Sequence, residues 1–257
     1  MDDSIIVNVL DVGSANQRFS GGLNNIESKR VIGFEPDTRT LAENDESADV
    51  GNIIYPYALA GRNEMRKLNL TRKPECSSFY SPNRNYVDLF PEKERWDIVD
   101  HDYHECKTLD SLKLVLGDCD FLTIDTQGSE IEIIKGAEGD ILNNLLGIEC
   151  EVEFIEIYKD QPLFGDVCKY LNQQGFEFYE FVTEYRYNRI KLDRTGQLAF
   201  ADALFLRTPE YIYRKYMQGI FCSDKIEKYK VIVEAYGKND LAVILDQYID
   251  KKVLINE

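Results

Sequence analysis

The sequence predicts a doubly wound α/β fold with a mostly parallel seven-stranded sheet and an antiparallel strand at its edge. Short apolar, β-branched segments alternate along the chain with segments of helical periodicity, the pattern of parallel strands joined by helices. The last two apolar segments, 176–185 and 200–208, follow one another without a helical segment between them. We expect these two to pair antiparallel at the edge of the sheet.

The individual elements follow from the same patterns. Five further strands are expected, in 4–14, 30–37, 51–60, 120–125 and 145–154. Helices are expected in 39–47, 108–117, 129–138 and 163–175, the last of them ending at Gly175. The polar, turn-rich stretch 62–106 predicts a hairpin and surface excursion inserted into a domain that spans 1–208. Residues 209–257 predict a C-terminal extension of two helices.

Composition narrows the class of protein and its partners. The 257 residues carry a formal net charge of −16, which repels phosphate backbones and anionic lipid, so neither nucleic acid nor a membrane is an expected partner. The six cysteines form no C-x-x-C pair and no cluster with histidine, which predicts reduced thiols rather than a zinc site or disulfides. There is no signal-peptide pattern and no long apolar run. We therefore expect a cytoplasmic protein.

The ends of the first two strands predict a nucleoside site. Asp11 and Gly13 follow strand 1, and Glu35 ends strand 2, 22 residues beyond Gly13. An acid at this spacing accepts hydrogen bonds from the two hydroxyls of a ribose. The second and third glycines of a dinucleotide motif are missing, which disfavours NAD and is compatible with S-adenosylmethionine, a cofactor without a diphosphate. The alternatives are a turn-capping role for Asp11 and a surface position for Glu35.

A polar elbow joins strand 120–125 to the helix that follows. Asp125, Gln127, Ser129 and Glu130 stand where ligands bind in a doubly wound sheet, at the carboxyl end of a strand. We expect Asp125 to be partly desolvated, with a raised pKa, and to act as a general base or to orient a hydroxyl. Its alternative is a helix-capping role, with Ser129 as the rival cap. Glu130 is expected in the first turn of the helix, where the dipole favours an acid.

Two further sets of titratable residues are candidates. Glu149, Glu151 and Glu153 alternate along strand 145–154, so they share one face, which is costly unless that face reaches solvent or a site. His101 and His104 precede the helix at 108–117 and are either acceptor-facing bases or solvated loop residues. Asp125 and Glu151 offer the hard oxygen ligands that suit magnesium, but without a dense Asp/His cluster we assign no metal.

Several motifs together resemble the FkbM family of S-adenosylmethionine-dependent methyltransferases. They cover roughly residues 5–208 and comprise "VIGFEPD", "TLDSL", "DFLTIDTQGSEIEIIKGAE", "ECEVEFIEIYKDQPLF" and "ADALFLR", with "CSSFYSPN" similar to one branch of the family. The resemblance implies a class I methyltransferase (Rossmann-like) fold and O-methylation of a hydroxyl on a sugar, glycan or secondary metabolite. It departs from the family at Ala15, where a glycine is usual, and at Thr123, where lysine is common.

The resemblance also implies roles for particular residues. Asp11, Gly13 and Ser14 would lie along the methionine moiety, Glu35 would hold the ribose, and Ala58 would lie near the adenine. Asp125 and Gln127 would face the methyl group and the acceptor, and Glu151 matches a family glutamate. The catalytic candidates are therefore Asp125, Glu151 and His104.

Alternatives to this function remain at this stage. One is an adaptor protein that keeps the fold and uses its C-terminal helices as a partner surface. A dinucleotide-dependent oxidoreductase is the other. For the enzyme we expect a small-molecule or carbohydrate acceptor and a possible homodimer through the C-terminal helices. The turn-rich segment 73–83 is either a loop that closes over the substrate or an ordinary surface loop.

Overall fold

The computed structural model describes residues 5–13, 21–37, 39, 53–190 and 196–251. Two predictions fall outside these residues. One is the contact of Ser14 with the methionine moiety, and the other is nearly all of the helix expected at 39–47. The other predicted elements lie within the described residues.

A seven-stranded sheet forms the centre of the molecule, in the order β3-β2-β1-β6-β7-β9-β8. The strands β3, β2, β1, β6 and β7 run parallel, whereas β9 is antiparallel to both β7 and β8. The antiparallel pair at the edge is thus confirmed, with the reversed strand lying one position inside the edge. The strands are β1 Val7–Val12, β2 Lys29–Phe34, β3 Ile53–Tyr55, β6 Phe121–Ile124, β7 Gly147–Glu153, β8 Phe176–Tyr187 and β9 Gln197–Arg207.

The strand order creates a crevice between β1 and β6. From β1 the chain proceeds to β2 and β3 on one side, and later returns to β6 and β7 on the other. In a doubly wound sheet this reversal separates the connecting segments at the carboxyl ends of the two central strands. The fold therefore directs ligand binding to the point where β1 and β6 end.

A separate two-stranded sheet stands over that edge. Its antiparallel strands are β4 Glu64–Thr71 and β5 Ile98–Cys106. Between them lie the short helix α1 Arg84–Val87 and 3-10 turns at Pro74–Cys76 and Lys93–Trp96. The predicted hairpin and surface excursion in 62–106 is confirmed.

The helices on the first face of the sheet are short except for the last. They are α2 Lys113–Leu116, α3 Glu130–Lys135, α4 Ile141–Asn144 and α5 Phe164–Gln173. Helix α5 buries Val167 and Leu171 against the sheet, and Gly175, at φ 81°, ends it as predicted. Apolar side chains of β1, β6 and β7 complete this half of the core.

The C-terminal extension forms three helices where the sequence pattern predicted two. They are α6 Pro209–Met217, α7 Ser223–Ala235 and α8 Asn239–Lys251. The additional helix, α6, begins directly after β9 because Thr208 Oγ1 accepts from Tyr211 N at 3.2 Å and Pro209 occupies the first turn. The apolar spacing that the prediction relied on starts only in α7.

The extension covers the second face of the sheet. Tyr229, Ile232 and Leu245 are fully buried and belong to the same apolar cluster as Val9 and Phe121 of the central strands. Most of the apolar positions that define the two predicted helices therefore pack within the chain. The homodimer through these helices stays a prediction. None of the described helices combines the length and apolar character needed to cross a membrane.

Candidate active site

A cavity of about 570 Å³ lies at the carboxyl ends of β1, β2, β6 and β7. The strand ends form its floor, and the segment between β4 and β5 forms the opposite wall, with Cys76, Ser77 and Trp96 among the lining residues. Its size lies within the range of small-molecule sites. The cavity stands at the topological switch point that the strand order defines.

Gly13 allows the ends of β1 and β6 to converge. It has φ 87°, and its N–H donates to Phe34 O at 3.0 Å. A Cβ at this position would lie 1.7 Å from the carbonyl oxygen of Asp125, whose own N–H donates to Val12 O at 2.9 Å. Only glycine combines this dihedral angle with so close a backbone approach. Gly13 and the buried Asp11 both line the cavity, as the nucleoside assignment requires.

Glu35 places a buried carboxyl group at the end of β2. It is 6% exposed, and its Oε1 accepts a hydrogen bond from Asp37 N at 2.7 Å. Burial raises the pKa of Glu35 to about 7, and the negative charges of Asp37, Asp125 and Asp11 add to the rise. A surface position for this acid is therefore wrong. The carboxyl lines the cavity where a ribose-binding acid is expected.

Asp37 connects the strand ends to the opposite wall. Its carboxylate accepts from Arg39 Nε at 2.9 Å and from Ser77 Oγ at 3.2 Å. Burial opposes the charge, but the hydrogen bonds from Arg39 outweigh it and lower the pKa of Asp37. The charged group thus anchors the loop that contains Ser77 over the cavity.

The elbow after β6 is organised around Glu130. Its Oε1 accepts from Thr126 N at 2.8 Å and from Gly128 N at 3.0 Å, and burial raises its pKa to about 7. Glu130 lies in the first turn of α3 as predicted, and it also satisfies backbone groups of the preceding turn. Ser129 is the N-cap residue, but its Oγ donates to Thr126 Oγ1 at 2.9 Å and makes no capping bond to the helix.

Gln127 joins the two leading catalytic candidates. Its Nε2 donates to Asp125 Oδ1 and to Glu151 Oε2, both at 2.7 Å. The amide is oriented by the hydroxyl of Tyr158, 2.9 Å from Gln127 Oε1. The backbone of Gln127 has φ 57°, and its carbonyl oxygen accepts from Ser78 Oγ at 2.7 Å. Tyr158, after β7, therefore fixes the side chain, and Ser78 of the opposite wall fixes the backbone.

The environment of the two carboxyl groups differs from the prediction. Asp125, expected to be partly desolvated, is exposed to the cavity. Glu151 is the buried member, and burial, followed by the charge of Asp125, raises its pKa well above the usual range. The physical reason is position, since Asp125 stands beyond the end of β6 while Glu151 lies within β7. Burial therefore favours the neutral form of Glu151, the inner of the two adjacent acids.

The acids of β7 share one face, as the alternation predicted. Glu149, Glu151 and Glu153 are all buried and all line the cavity. The carboxylate of Glu149 accepts from the hydroxyl of Tyr236, the C-cap residue of α7, at 2.5 Å. Burial raises the pKa of Glu153 well above the usual range. The cost of burying three acids is met partly by such donors and partly by protonation.

Three carboxyl groups in the site approach the geometry of a cation site. Oxygen atoms of Asp125, Glu130 and Glu151 lie within 4.8 Å of one another. Glu130 and Glu151 accept hydrogen bonds from the elbow through the oxygens described above. The carboxyl groups of the cluster therefore stabilise the elbow by accepting its N–H groups. We assign no metal to the cluster.

Two of the predicted site residues lie outside the cavity lining. His104 is in β5, opposite Arg66, with its Nε2 3.2 Å from Asp102 Oδ2. The His104 side chain is 16% exposed and is not among the residues that line the cavity. Ala58 is buried beside Ala60 and Cys106.

The cavity beside Ala58 is lined by its chain neighbours. These are Tyr57 and Leu59, which frame the end of β3. Tyr57 is exposed, whereas Leu59 also belongs to the apolar core of the sheet. The adenine contact predicted for Ala58 stays a prediction, and Ala58 itself is not among the residues that line the cavity.

Sequence reasoning missed an aromatic wall on the far side of the cavity. Tyr187 contacts Trp96 edge-on, with ring centroids 5.8 Å apart, and Phe200 stacks on Tyr185 at 4.4 Å. The run "FEFYEFVTEYRY" forms β8 over its whole length, and Tyr185 and Tyr187 near its end line the cavity. The unusual length of β8, 12 residues, lets its end continue, still paired with β9, past the end of β7 and along the cavity.

Fold and site together define a doubly wound, Rossmann-like α/β protein with a cavity at the topological switch point of its sheet. The chain belongs to the FkbM methyltransferase family, since the methyltransferase FkbM domain matches residues 11–178. A crystal structure of methyltransferase FkbM from Methylobacillus flagellatus KT is similar at a TM-score of 0.44 and 11% identity. The match covers 80% of this chain and 44% of that protein, so the chain spans less than half of its length. No curated protein matches the chain.

Proposed function

We propose that this protein is an S-adenosylmethionine-dependent O-methyltransferase whose acceptor is a hydroxyl of a sugar, glycan or secondary metabolite. The observation that carries the proposal is one cavity that holds both a buried ribose-type acid, Glu35, and the bridged pair Asp125 and Glu151. Membership of a methyltransferase family supports the reaction type.

The charge of the cavity supports this methyl donor over a dinucleotide. Acidic residues from four strand ends face the space, including Asp11, Glu35 and Glu149. A sulfonium with an α-amino group is cationic at that end and is attracted by such a field, whereas the diphosphate of NAD is repelled. The donor chemistry of the lining residues therefore fits S-adenosylmethionine.

The residues that would hold the donor lie on the β1–β2 side. Glu35 would accept from the ribose hydroxyls, Tyr57 and Leu59 would flank the adenine, and Asp11 and Gly13 would border the methionine moiety. When bound, the cofactor supplies an activated methyl group. The elbow residues then lie between this side and the aromatic wall, where the acceptor has room.

The proposed role of the elbow is to take and hold a proton. The exposed carboxylate of Asp125 accepts the proton of the acceptor hydroxyl, since an alcohol is a weak nucleophile until that proton is removed. Burial raises the pKa of Glu151 and thereby favours its protonated form, which leaves the negative charge of the pair on Asp125. Gln127 fixes the orientation of both groups.

The cysteines support a reducing, cytoplasmic location. All six are free thiols, and Cys76, Cys106, Cys119 and Cys150 are buried. Thiols of this kind persist where disulfides do not form.

Methyl transfer from labelled S-adenosylmethionine to a panel of hydroxyl acceptors tests the proposal. We expect label in at least one sugar or glycan, with turnover reduced about 100-fold or more in Asp125→Asn. Binding of S-adenosylhomocysteine should be retained in that variant, and Asp250→Asn, exposed on α8, serves as the matched control. Failure of the wild-type protein to bind the cofactor would favour an adaptor role, and binding of NAD in its place would favour an oxidoreductase.

A further inference from the structure

An arginine with an unpartnered buried nitrogen lines this cavity, which is rich in acidic residues. Arg95 lies in the 3-10 turn Lys93–Trp96, and its Nε is buried with no hydrogen-bond partner among the described residues. Its carbonyl oxygen accepts from Lys73 N at 3.1 Å, which holds the turn in place. A buried donor of a charged group left without an acceptor costs free energy that a bound anion recovers.

A second cation stands beside it. Lys73 also lines the cavity, and its Nζ lies 3.7 Å from Glu75 Oε1, a loose and solvent-exposed contact. The positive charge of Arg95 extends into the cavity wall, where it works against the burial that raises the pKa of Tyr187. The hairpin side of the cavity therefore presents positive charge opposite the acids of β7.

Aromatic rings adjoin these cations. The guanidinium carbon of Arg95 lies 5.2 Å from the ring centroid of Trp96, which in turn meets Tyr187 edge-on. Phe200 contacts Tyr187 at 5.7 Å between centroids. Flat apolar faces beside a guanidinium suit a ring that carries an anionic substituent.

Arg95 and the rings beside it lie away from the donor side, whereas Lys73 precedes the loop that Ser77 joins to Asp37. Glu35 marks the nucleoside side at the end of β2, whereas Trp96, Tyr187 and Phe200 form the wall near β8 and β9. The bridged pair of Asp125 and Glu151 stands between the two sides. An anion held at Arg95 therefore belongs to the acceptor.

We propose that Arg95, with Lys73 beside it, selects an acceptor that carries an anionic group, phosphate or carboxylate, next to the hydroxyl-bearing ring. This inference rests on the proposed function, and it narrows the acceptor to anionic sugars or ring metabolites. Arg95 is a specificity-determining residue in this account, and the proton chemistry stays with Asp125.

The chain provides its own reporter for the test. Trp96 is the only tryptophan in the 257 residues, so tryptophan emission reports on the side chain next to Arg95. The protein is first saturated with S-adenosylhomocysteine, and inorganic phosphate or acetate is then added at constant ionic strength. We expect a saturable change in emission, with affinity weakened about tenfold or more in Arg95→Gln. Which of the two probes binds more tightly distinguishes phosphate from carboxylate acceptors.

Matched variants guard against a general charge effect or a folding defect. Arg72→Gln removes the same charge from an exposed arginine that pairs with Asp97, and should leave the response intact. Arg95→Lys preserves the charge and should retain a weaker response. It serves as the test variant if Arg95→Gln fails to fold. In the acceptor screen, the preference for glucose 1-phosphate over glucose, or for glucuronate over glucose, should fall about tenfold in Arg95→Gln.

Four outcomes would overturn the inference. They are no saturable response to either anion, an equal loss in Arg72→Gln, an unchanged response in Arg95→Gln, and a tenfold loss of S-adenosylhomocysteine affinity in Arg95→Gln. The last would place Arg95 on the donor. If the wild-type protein does not bind S-adenosylhomocysteine at all, the proposed function itself is wrong, which calorimetry on the same sample distinguishes.

Discussion

Gln127 and Glu151, 24 residues apart in the chain, meet at 2.7 Å through the side-chain amide and a buried carboxyl group. The same amide nitrogen lies 2.7 Å from Asp125. One donor group thus determines the relative positions of the exposed and the buried acid. The proposed division of labour, with a proton on Glu151 and a charge on Asp125, depends on this bridge.

Removal of the bridge should impair turnover more than cofactor binding. In Gln127→Ala both carboxyl groups lose a donor, and we expect kcat to fall about tenfold to 100-fold, with stability reduced by about 1 kcal/mol. Affinity for S-adenosylhomocysteine should change less than threefold or so. Gln173→Ala, exposed at the end of α5, is the control. Wild-type turnover in Gln127→Ala would show that the bridge is not needed.

Stability should decline with rising pH because of Glu35. Its folded-state pKa of about 7 exceeds the ordinary 4.5, so the folded protein holds this proton more tightly than the unfolded chain. The resulting stabilisation is complete below pH 4.5 and is lost as the pH rises through 7. When the pH rises from 5 to 8, the free energy of unfolding measured in urea titrations should fall in both proteins. The fall should be about 2 kcal/mol smaller in Glu35→Gln than in the wild-type protein.

The other buried acids do not obscure that comparison. Burial also raises the pKa values of Glu130, Glu151 and Glu153, and these groups contribute the same slope to both proteins. Glu177→Gln, at an exposed position in β8, should leave the pH slope unchanged. Identical slopes for Glu35→Gln and the wild-type protein would mean that Glu35 is not a desolvated acid.

The close approach at Gly13 provides a structural test. Gly13→Ala places a Cβ 1.7 Å from Asp125 O, so the elbow must shift, and Gly219→Ala at φ 71° meets no atom within 4 Å. Both variants incur the cost of a positive φ, and only the first also moves backbone. We expect Gly13→Ala to cost about 2 kcal/mol more than Gly219→Ala and to weaken S-adenosylhomocysteine binding. Equal thermal shifts in the two variants would contradict the observed convergence of β1 and β6.

The C-terminal extension should support the site through Tyr236. Its hydroxyl donates to Glu149 Oε2 at 2.5 Å within the buried face of β7. In Tyr236→Phe we expect a loss of about 1–3 kcal/mol, because a buried carboxyl group loses its donor. Tyr248→Phe removes the 2.6 Å hydrogen bond to Glu210 at a more exposed position and should cost under about 1 kcal/mol. A larger loss of stability in Tyr248→Phe than in Tyr236→Phe, measured by chemical denaturation, would refute this role of Tyr236.

The sequence predicted the sheet and the strand-end acids, because both depend on local patterns. Asp11, Gly13, Glu35 and Asp125 face one cavity, since parallel strands end at the same edge of a sheet. The sequence pattern did not predict the third helix of the extension. Because α6 follows β9 without a loop, the strand pattern and the helical pattern are not separated in the sequence.

Residues positioned by long-range contacts could not be predicted. Arg95 and Trp96 come from a turn in the hairpin insertion, and nothing in their local sequence fixes how that turn folds back onto Tyr187. The misplacement of His104 has the same origin. Its position in sequence, just before the helix expected at 108–117, suggested that it reaches the site. The hairpin register instead pairs it with Arg66.

The central claim is that Glu35 holds the ribose of a nucleoside methyl donor in this cavity. Titration calorimetry with S-adenosylhomocysteine on the wild-type protein and on Glu35→Ala, with NAD as the competing ligand and Glu177→Ala as the control variant, tests it directly. The account predicts saturable binding of S-adenosylhomocysteine that weakens by at least about tenfold in Glu35→Ala and is unchanged in Glu177→Ala, with no binding of NAD. Absence of binding to the wild-type protein, or equal affinity in Glu35→Ala, would contradict it.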